Sequence, residues 1–187
     1  MAERIKAEPA ALADPSEEEV VEGLEYTRVV VEGEFDHSRE ILFSPRLLDG
    51  VPGAHVATPL VRDDGPDVLV NRGFVPRSRM EKNDRPESLI EGKVSVSGIL
   101  RVSETPNLFT PDNLPDQGLW HWRDGKALSE HLNVAPYVVE ADKDSESAGA
   151  IEGGVTVITV PNRHVEYAVT WYSLALFTGF MYARRVL

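Results

Sequence analysis

Residues 25–35, EYTRVVVEGEF, decide the fold class: the β-branched centre suits a pleated strand, where such side chains pack well, and disfavours a helix. Outward from this run lie six more short segments of strand character, at 39–43, 54–60, 67–71, 93–102, 137–140 and 155–160. The fifth of these seven, 93–102, alternates Val94, Val96 and Ile99 unevenly around Gly98. Turn residues separate nearly all the runs, and one soluble helix is predicted at 124–132, opened by Asp124 as its N-cap. Many short strands and few helices predict a mainly β (α+β) domain, an antiparallel sheet closed into a barrel or folded into a sandwich. Residues 103–118, with Pro106, Pro111 and Pro115, read as a loop, as does the acidic Ser/Gly/Ala stretch 141–154.

The chain has 187 residues, 42% apolar and 27% charged, enough for one ordinary core. It has no cysteine, which removes disulfides, thiolate zinc sites and cysteine nucleophiles. Three methionines are too few for a carrier of cuprous ions. Formal charge is −12, unevenly spread: positions 1–162 hold 16 basic and 30 acidic residues, or −14, against +2 in the remainder. So acidic a body repels phosphate backbones and anionic headgroups, which argues against nucleic-acid binding. No nucleophile elbow, phosphate loop or His-Glu-x-x-His is present, so nothing supports an enzyme.

Residues 167–183 (YAVTWYSLALFTGFMYA) carry no charge and as a helix extend about 25 Å. A hydrocarbon core needs roughly 30 Å, a gap that Val165 and the stems of Glu166 and Arg184 close by snorkelling. Tyr167, Trp171 and Tyr172 stand near one end and Tyr182 near the other, where amphipathic rings meet headgroups. Arg184 and Arg185 then mark the inner side and place the acidic body across the membrane. A buried, all-apolar helix of a soluble domain is the rival reading. Ala168, Ala175 and Gly179 form a small-residue stripe that lets a partner helix approach.

Four motifs carry candidate chemistry. In Asn71-Arg72-Gly73-Phe74-Val75-Pro76 the apolar strand is expected to stop at a sharp turn, and Arg72, a planar fork suited to a carboxylate, is left over. Trp120-His121-Trp122-Arg123-Asp124, if extended, puts both tryptophans on one face, as core or as a ligand wall, with His121 and Arg123 opposite. Phe35-Asp36-His37 reads as a turn in which Asp36 bonds its own backbone, or as an acid/base pair. His164 stands just before the uncharged run, where its imidazole is either a haem-iron ligand or an interfacial side chain.

Taken together, these motifs resemble the surfeit locus protein family, membrane factors that assist assembly of haem-copper cytochrome oxidase. The match runs through Leu24–Tyr26 to Phe35–Glu40, Val68 to Pro76, Trp120 to Asp124, and His164 to Tyr172, nearly the full chain. The resemblance implies a β-rich domain held between two membrane spans. Here the first span is expected to be missing, leaving 1–23 as short helical pieces with a Ser16-x-x-Glu19 capping box, 24–162 as the outer domain and 163–187 as the second span. It further implies an inner-membrane protein, bacterial or mitochondrial, that attends oxidase subunit I with other assembly factors. It implies haem a as the bound group, with His164 as axial ligand; that Arg72 and Trp122, which belong to the most family-like motifs, stand beside the haem is our own expectation, not one the resemblance supplies. A haem-free scaffold for subunit I and a soluble periplasmic ligand-binding module are the alternatives.

Overall fold

A computed structural model of the protein describes residues 10–11, 23–143, 145, 151 and 164–186. The β-branched run forms strand β2 (Arg28–Phe35), which follows β1 (Ala10–Ala11). After these come β3 (Ile41–Leu48), β4 (Val51–Val61), β5 (Val68–Pro76), β6 (Lys93–Arg101) and β7 (Val138–Ala141). Helix α1 (Gly125–Leu132) precedes β7, and helix α2 (His164–Val186) lies near the C-terminus. The expected strand at 155–160 and the Ser16/Glu19 box lie outside the described residues, as does most of 141–154. Contacts divide the chain into two compact units, Met1–Thr156 and Val157–Leu187.

In the first unit the pairings run β1-β2-β6-β7-β5-β4-β3, and a further contact of β2 with β4 joins the ends of the inner series. Strands β2, β6, β7, β5 and β4 thus form a closed ring. Strand β4 serves two neighbours along one edge, β3 up to Ala57 and β2 at Leu60 and Val61. Pro59 falls between those two contacts, where no ladder partner needs its absent N–H. The expected barrel is present, but the sheet is not wholly antiparallel: β7 runs parallel to β5, and β1 to β2. A parallel neighbour needs a crossover, and the path through β6, the 102–124 loop and α1 supplies it.

Alternation sorts side chains between two apolar layers. Val29, Val31 and Phe35 of β2, Val94, Val96 and Leu100 of β6, and Val139 of β7 fill the barrel. The alternation in β6 is therefore unbroken, with Gly98 itself an inward position and Ile99 outside. On the outer face, Leu69 and Val138 pack beneath Leu128 and Leu132 of α1, with Trp120 and Phe43. Strands β5 and β7 are buried on both faces, and their apolar stretches, Val68 to Val70 and Val138 to Val139, do not alternate with polar residues. Asp124 caps α1 as expected, accepting from Ala127 N at 3.1 Å, and Asn133 ends it at φ 52°.

Helix α2 has 23 residues, and every side chain from Tyr167 to Arg185 is exposed. By mean hydropathy, no helix among the described residues is long and apolar enough to cross a membrane. The uncharged run is diluted by Thr170, Tyr172, Ser173, Thr178 and Gly179, which count as polar or neutral on such a scale.

Candidate functional site

The segment 71–76 does not turn. Strand β5 continues through it, and between the pairs Ala57↔Asn71 and Val56↔Gly73 the register skips Arg72, the extra residue of a β-bulge. Gly73 takes φ 130° there, and the Asn71 Oδ1 accepts from Gly73 N at 3.2 Å. Asn and Gly thus serve the purpose they serve in a turn, but the ladder resumes beyond them.

Arg72 is 0% exposed. Its guanidinium lies 4.7 Å over the Phe35 ring, donates to the Ser88 carbonyl, and stands 4.0 Å from the Glu40 carboxylate. Glu40 also pairs with buried Arg85 and accepts from the Thr58 hydroxyl at 3.3 Å. Burial lowers the Arg72 pKa to about 10, with Glu40 opposing the fall and Arg85 adding to it. This guanidinium is consumed within the fold and has no face for an outside carboxylate.

Asp36 behaves as the turn reading expects, accepting from Ser38 N at 2.9 Å and Arg39 Nε at 2.7 Å. Hydrogen bonds from Ser38 and Arg39 hold its pKa down at about 2. The His37 Nε2 contacts the Ile90 carbonyl at 2.9 Å, not Asp36, so the two side chains form no acid/base pair.

The tryptophan segment divides its two rings. Trp120 is 1% exposed, edge-on to His131 at 5.7 Å in the outer apolar layer. Trp122 is half-buried and lines an open cavity of about 610 Å3 with Tyr26, Arg46, Arg101, Glu104 and His121. Arg123, expected on a solvated face, is instead buried, pairing with Glu140 and, at 2.8 Å, with Glu104. Arg46 donates to the His121 carbonyl at 2.9 Å and stands 3.6 Å from Glu104. Arg101 lies 4.7 Å over the Tyr26 ring and 3.5 Å from both Glu25 and Glu140. His121 Nδ1 faces the Ser44 carbonyl at 2.7 Å and so donates, which leaves Nε2 an acceptor when the ring is neutral.

Beside this network sits His55, which no local spacing singled out. Burial first, then the charges of Arg46 and Arg123, lower its pKa from 6.5 to about 4. The Asn71 amide reaches its Nδ1 at 3.5 Å, a contact suited to the neutral ring. A lowered histidine pKa means the unfolded chain binds the extra proton, so the stabilisation is complete above pH 6.5 and fades as pH falls through about 4. At roughly 1.4 kcal/mol per pH unit, its size is at most about 3 kcal/mol. Melting temperatures measured from pH 7 to pH 4 should fall, and the His55→Gln variant should fall less. Parallel curves for the two proteins would remove His55 as the cause.

Arg72 and Trp122, expected beside one bound group, are not brought together: one is sealed against Phe35, Glu40 and Ser88, the other lines the open cavity. That cavity is walled mostly by charged and polar side chains, whereas a tetrapyrrole needs broad apolar walls. These two residues do not fit a haem. His164 begins α2, and its side chain lies outside the described set. The cavity's other residues come from β3, β6 and two loops, so only the folded chain assembles them.

A sequence model of the SURF1 family matches residues 1–176. Surfeit locus protein 1 of Rattus norvegicus is 37% identical over 198 aligned positions, covering 97% of this chain and 64% of the relative. The Homo sapiens protein of that name is 38% identical, covering 98% of this chain and 66% of its own length. A SURF1-like protein of Caenorhabditis elegans is 31% identical over 89% of the chain. The chain thus spans somewhat under two thirds of the rat protein's length.

Proposed function

The chain belongs to the SURF1 family, and from that premise we propose that it is a non-catalytic assembly factor for cytochrome c oxidase, attending subunit I at the inner membrane. Binding, not bond-making, is its chemistry. The observation that carries the membrane part is helix α2, whose large apolar side chains are exposed all round, among them Trp171 at 66%, Leu176 at 75% and Phe180 at 63%. Such a surface is costly in water and is satisfied by acyl chains or by a second helix. The hydroxyl of Thr178 already bonds the Leu174 carbonyl at 2.8 Å, so it needs no water. By mean hydropathy the helix falls short of a span on its own, which suits insertion beside a partner helix along Ala168, Ala175 and Gly179.

Haem a is the proposed bound group, held at His164 and not at Arg72 or Trp122. In purified haem a-loaded protein, His164→Ala should abolish the haem a Soret band; an unchanged band would take His164 out of the site. The separation of Arg72 from Trp122 favours a second reading, a haem-free scaffold. Co-purification with subunit I that survives loss of haem synthesis would select the scaffold.

The lack of cysteine gives a clean test of insertion. A fluorophore on Leu176→Cys should be quenched by lipids spin-labelled deep in the acyl chains. Quenching only by a water-soluble agent would instead favour a soluble periplasmic module.

A further inference from the structure

We propose that the cavity beside Trp122 and the turn Asn107–Thr110 together form a docking surface for an extended polypeptide segment of another protein, one bearing apolar and basic side chains. This surface stands apart from the haem reading and needs no part of it.

The turn carries two large apolar side chains that the fold leaves in water, Leu108 at 94% and Phe109 at 90% exposure. They are held out by the local backbone. Thr110 N donates to the Asn107 carbonyl at 3.0 Å, Phe109 N to the Asn107 Oδ1 at 2.9 Å, and Asn107 N to the Thr110 hydroxyl at 3.2 Å. Asn107 and Thr110 also line the cavity, so an apolar grip and a polar slot share one turn.

Within the slot, hydrogen-bonding capacity is unspent. The Arg101 side chain makes no hydrogen bond to any described residue, only ion pairs of 3.5 Å and its stack on Tyr26. Among the described residues its buried Nε, 3.5 Å from Glu25, and the buried Trp122 Nε1 have no hydrogen-bond partner. Glu25 and Glu104 are each about one-third exposed, whereas Arg101 is 15% exposed, so acceptors stand nearer solvent and donors deeper. A pure anion would meet both carboxylates, and a pure cation would meet Arg46 and Arg101. A peptide backbone, alternating carbonyl acceptors with N–H donors, matches both sets. Charge chooses the partner's side chains: residues 103–119 include Glu104, Asp112 and Asp116 and no Lys or Arg. The same acidity opposes docking on an anionic bilayer.

The test begins with a photoreactive benzoylphenylalanine in place of Phe109 in the intact protein in its own cells. The cross-linked segment is then identified by mass spectrometry, synthesised with a fluorescent label, and titrated against the purified full chain. The expected cross-link is to one discrete polypeptide segment containing Lys or Arg beside apolar residues. Its affinity should drop at least tenfold for Leu108→Ser, for Phe109→Ser and for Trp122→Phe, which keeps a ring but loses the N–H. Val61→Ser, at an exposed apolar position on β4 opposite Glu34 of β2, should bind as the parent does. All four variants should melt with the parent, since none removes a fully buried side chain. Cross-links only to lipid, only to a second copy of this chain, or to nothing would each overturn the proposal. So would a peptide whose affinity ignores Trp122→Phe and Phe109→Ser.

Discussion

Replacing Glu40 with alanine is expected to lower the melting temperature by about 10 °C. Its carboxylate, with a side chain only 2% exposed, is the anion shared by buried Arg72 and Arg85. Desolvating three charged groups is costly, and the arrangement holds because each guanidinium has a carboxylate and a Ser88 oxygen within reach. Removing this anion takes from two buried cations the carboxylate they share, a loss of roughly 3–5 kcal/mol. A chain of this length loses about 2–4 °C per kcal/mol, which gives the expected shift. The result would also appear locally. Residues 82–88, two short helical turns, are tied back to the barrel through Arg85, so the Ser88 amide, bonded to the Arg85 carbonyl at 2.9 Å, should exchange faster. Glu40→Gln keeps an acceptor and the volume, and should fall between the two. The exposed pair of Arg79 with Glu87 is the contrast: Glu87→Ala should melt with the parent. If Glu40→Ala melts within 2 °C of the parent, the cluster is not what holds that end of the barrel.

How far this arrangement was legible in the sequence depends on the range of each interaction. Asp124 as a helix cap and Asp36 as a turn former were readable because their partners lie two or three residues away. The strand cores were readable because alternation is a local pattern. Arg72 was misplaced for the opposite reason. Asn71 and Gly73 look the same in a turn and in a bulge, and only their partners on the opposing strand, Ala57 and Val56, decide that the ladder resumes. The Glu40 pairing with Arg85 spans 45 positions, and Arg28 with Asp142 spans 114, distances at which no spacing rule operates. Arg123 likewise looked solvated because its partner Glu140 lies on β7, brought near only by closure of the ring. The cavity belongs to the same class: Tyr26, Arg46, Arg101 and Trp122 meet because β3 and β6 converge on the loop before α1.

Closure of the ring leads to the other large expected effect, an unstable barrel on replacing Gly98 or Gly33 with alanine. Both glycines occupy inward positions on strands otherwise lined with Val, Leu and Phe, which on alternation alone looks like lost packing. The reason is proximity. A methyl at Gly98 would stand 2.3 Å from the Glu140 carbonyl oxygen, and one at Gly33 would stand 2.3 Å from that of Val61. Neither oxygen belongs to a flexible side chain, so a strand must move. Moving Glu140 disturbs its pairing with Arg123 and Arg101 as well. Moving Val61 opens the short ladder of β2 with β4, two residue pairs and the bond from Asp36 N to the Pro59 carbonyl, that closes the ring on that side. Each substitution should therefore cost about 3 kcal/mol, near the upper end for overpacking, and lower the melting temperature by roughly 5–10 °C. Gly23, where an added methyl meets nothing within 4 Å, should accept alanine without a change in melting. Hydrogen exchange separates the two mechanisms. Gly33→Ala should expose the amides of Glu34 and Val61 first, while Gly98→Ala should loosen β6 and β7 together. Equal melting of all three alanine variants would mean that the barrel tolerates bulk where its strands lie closest, and that closure through β2 and β4 contributes little to stability.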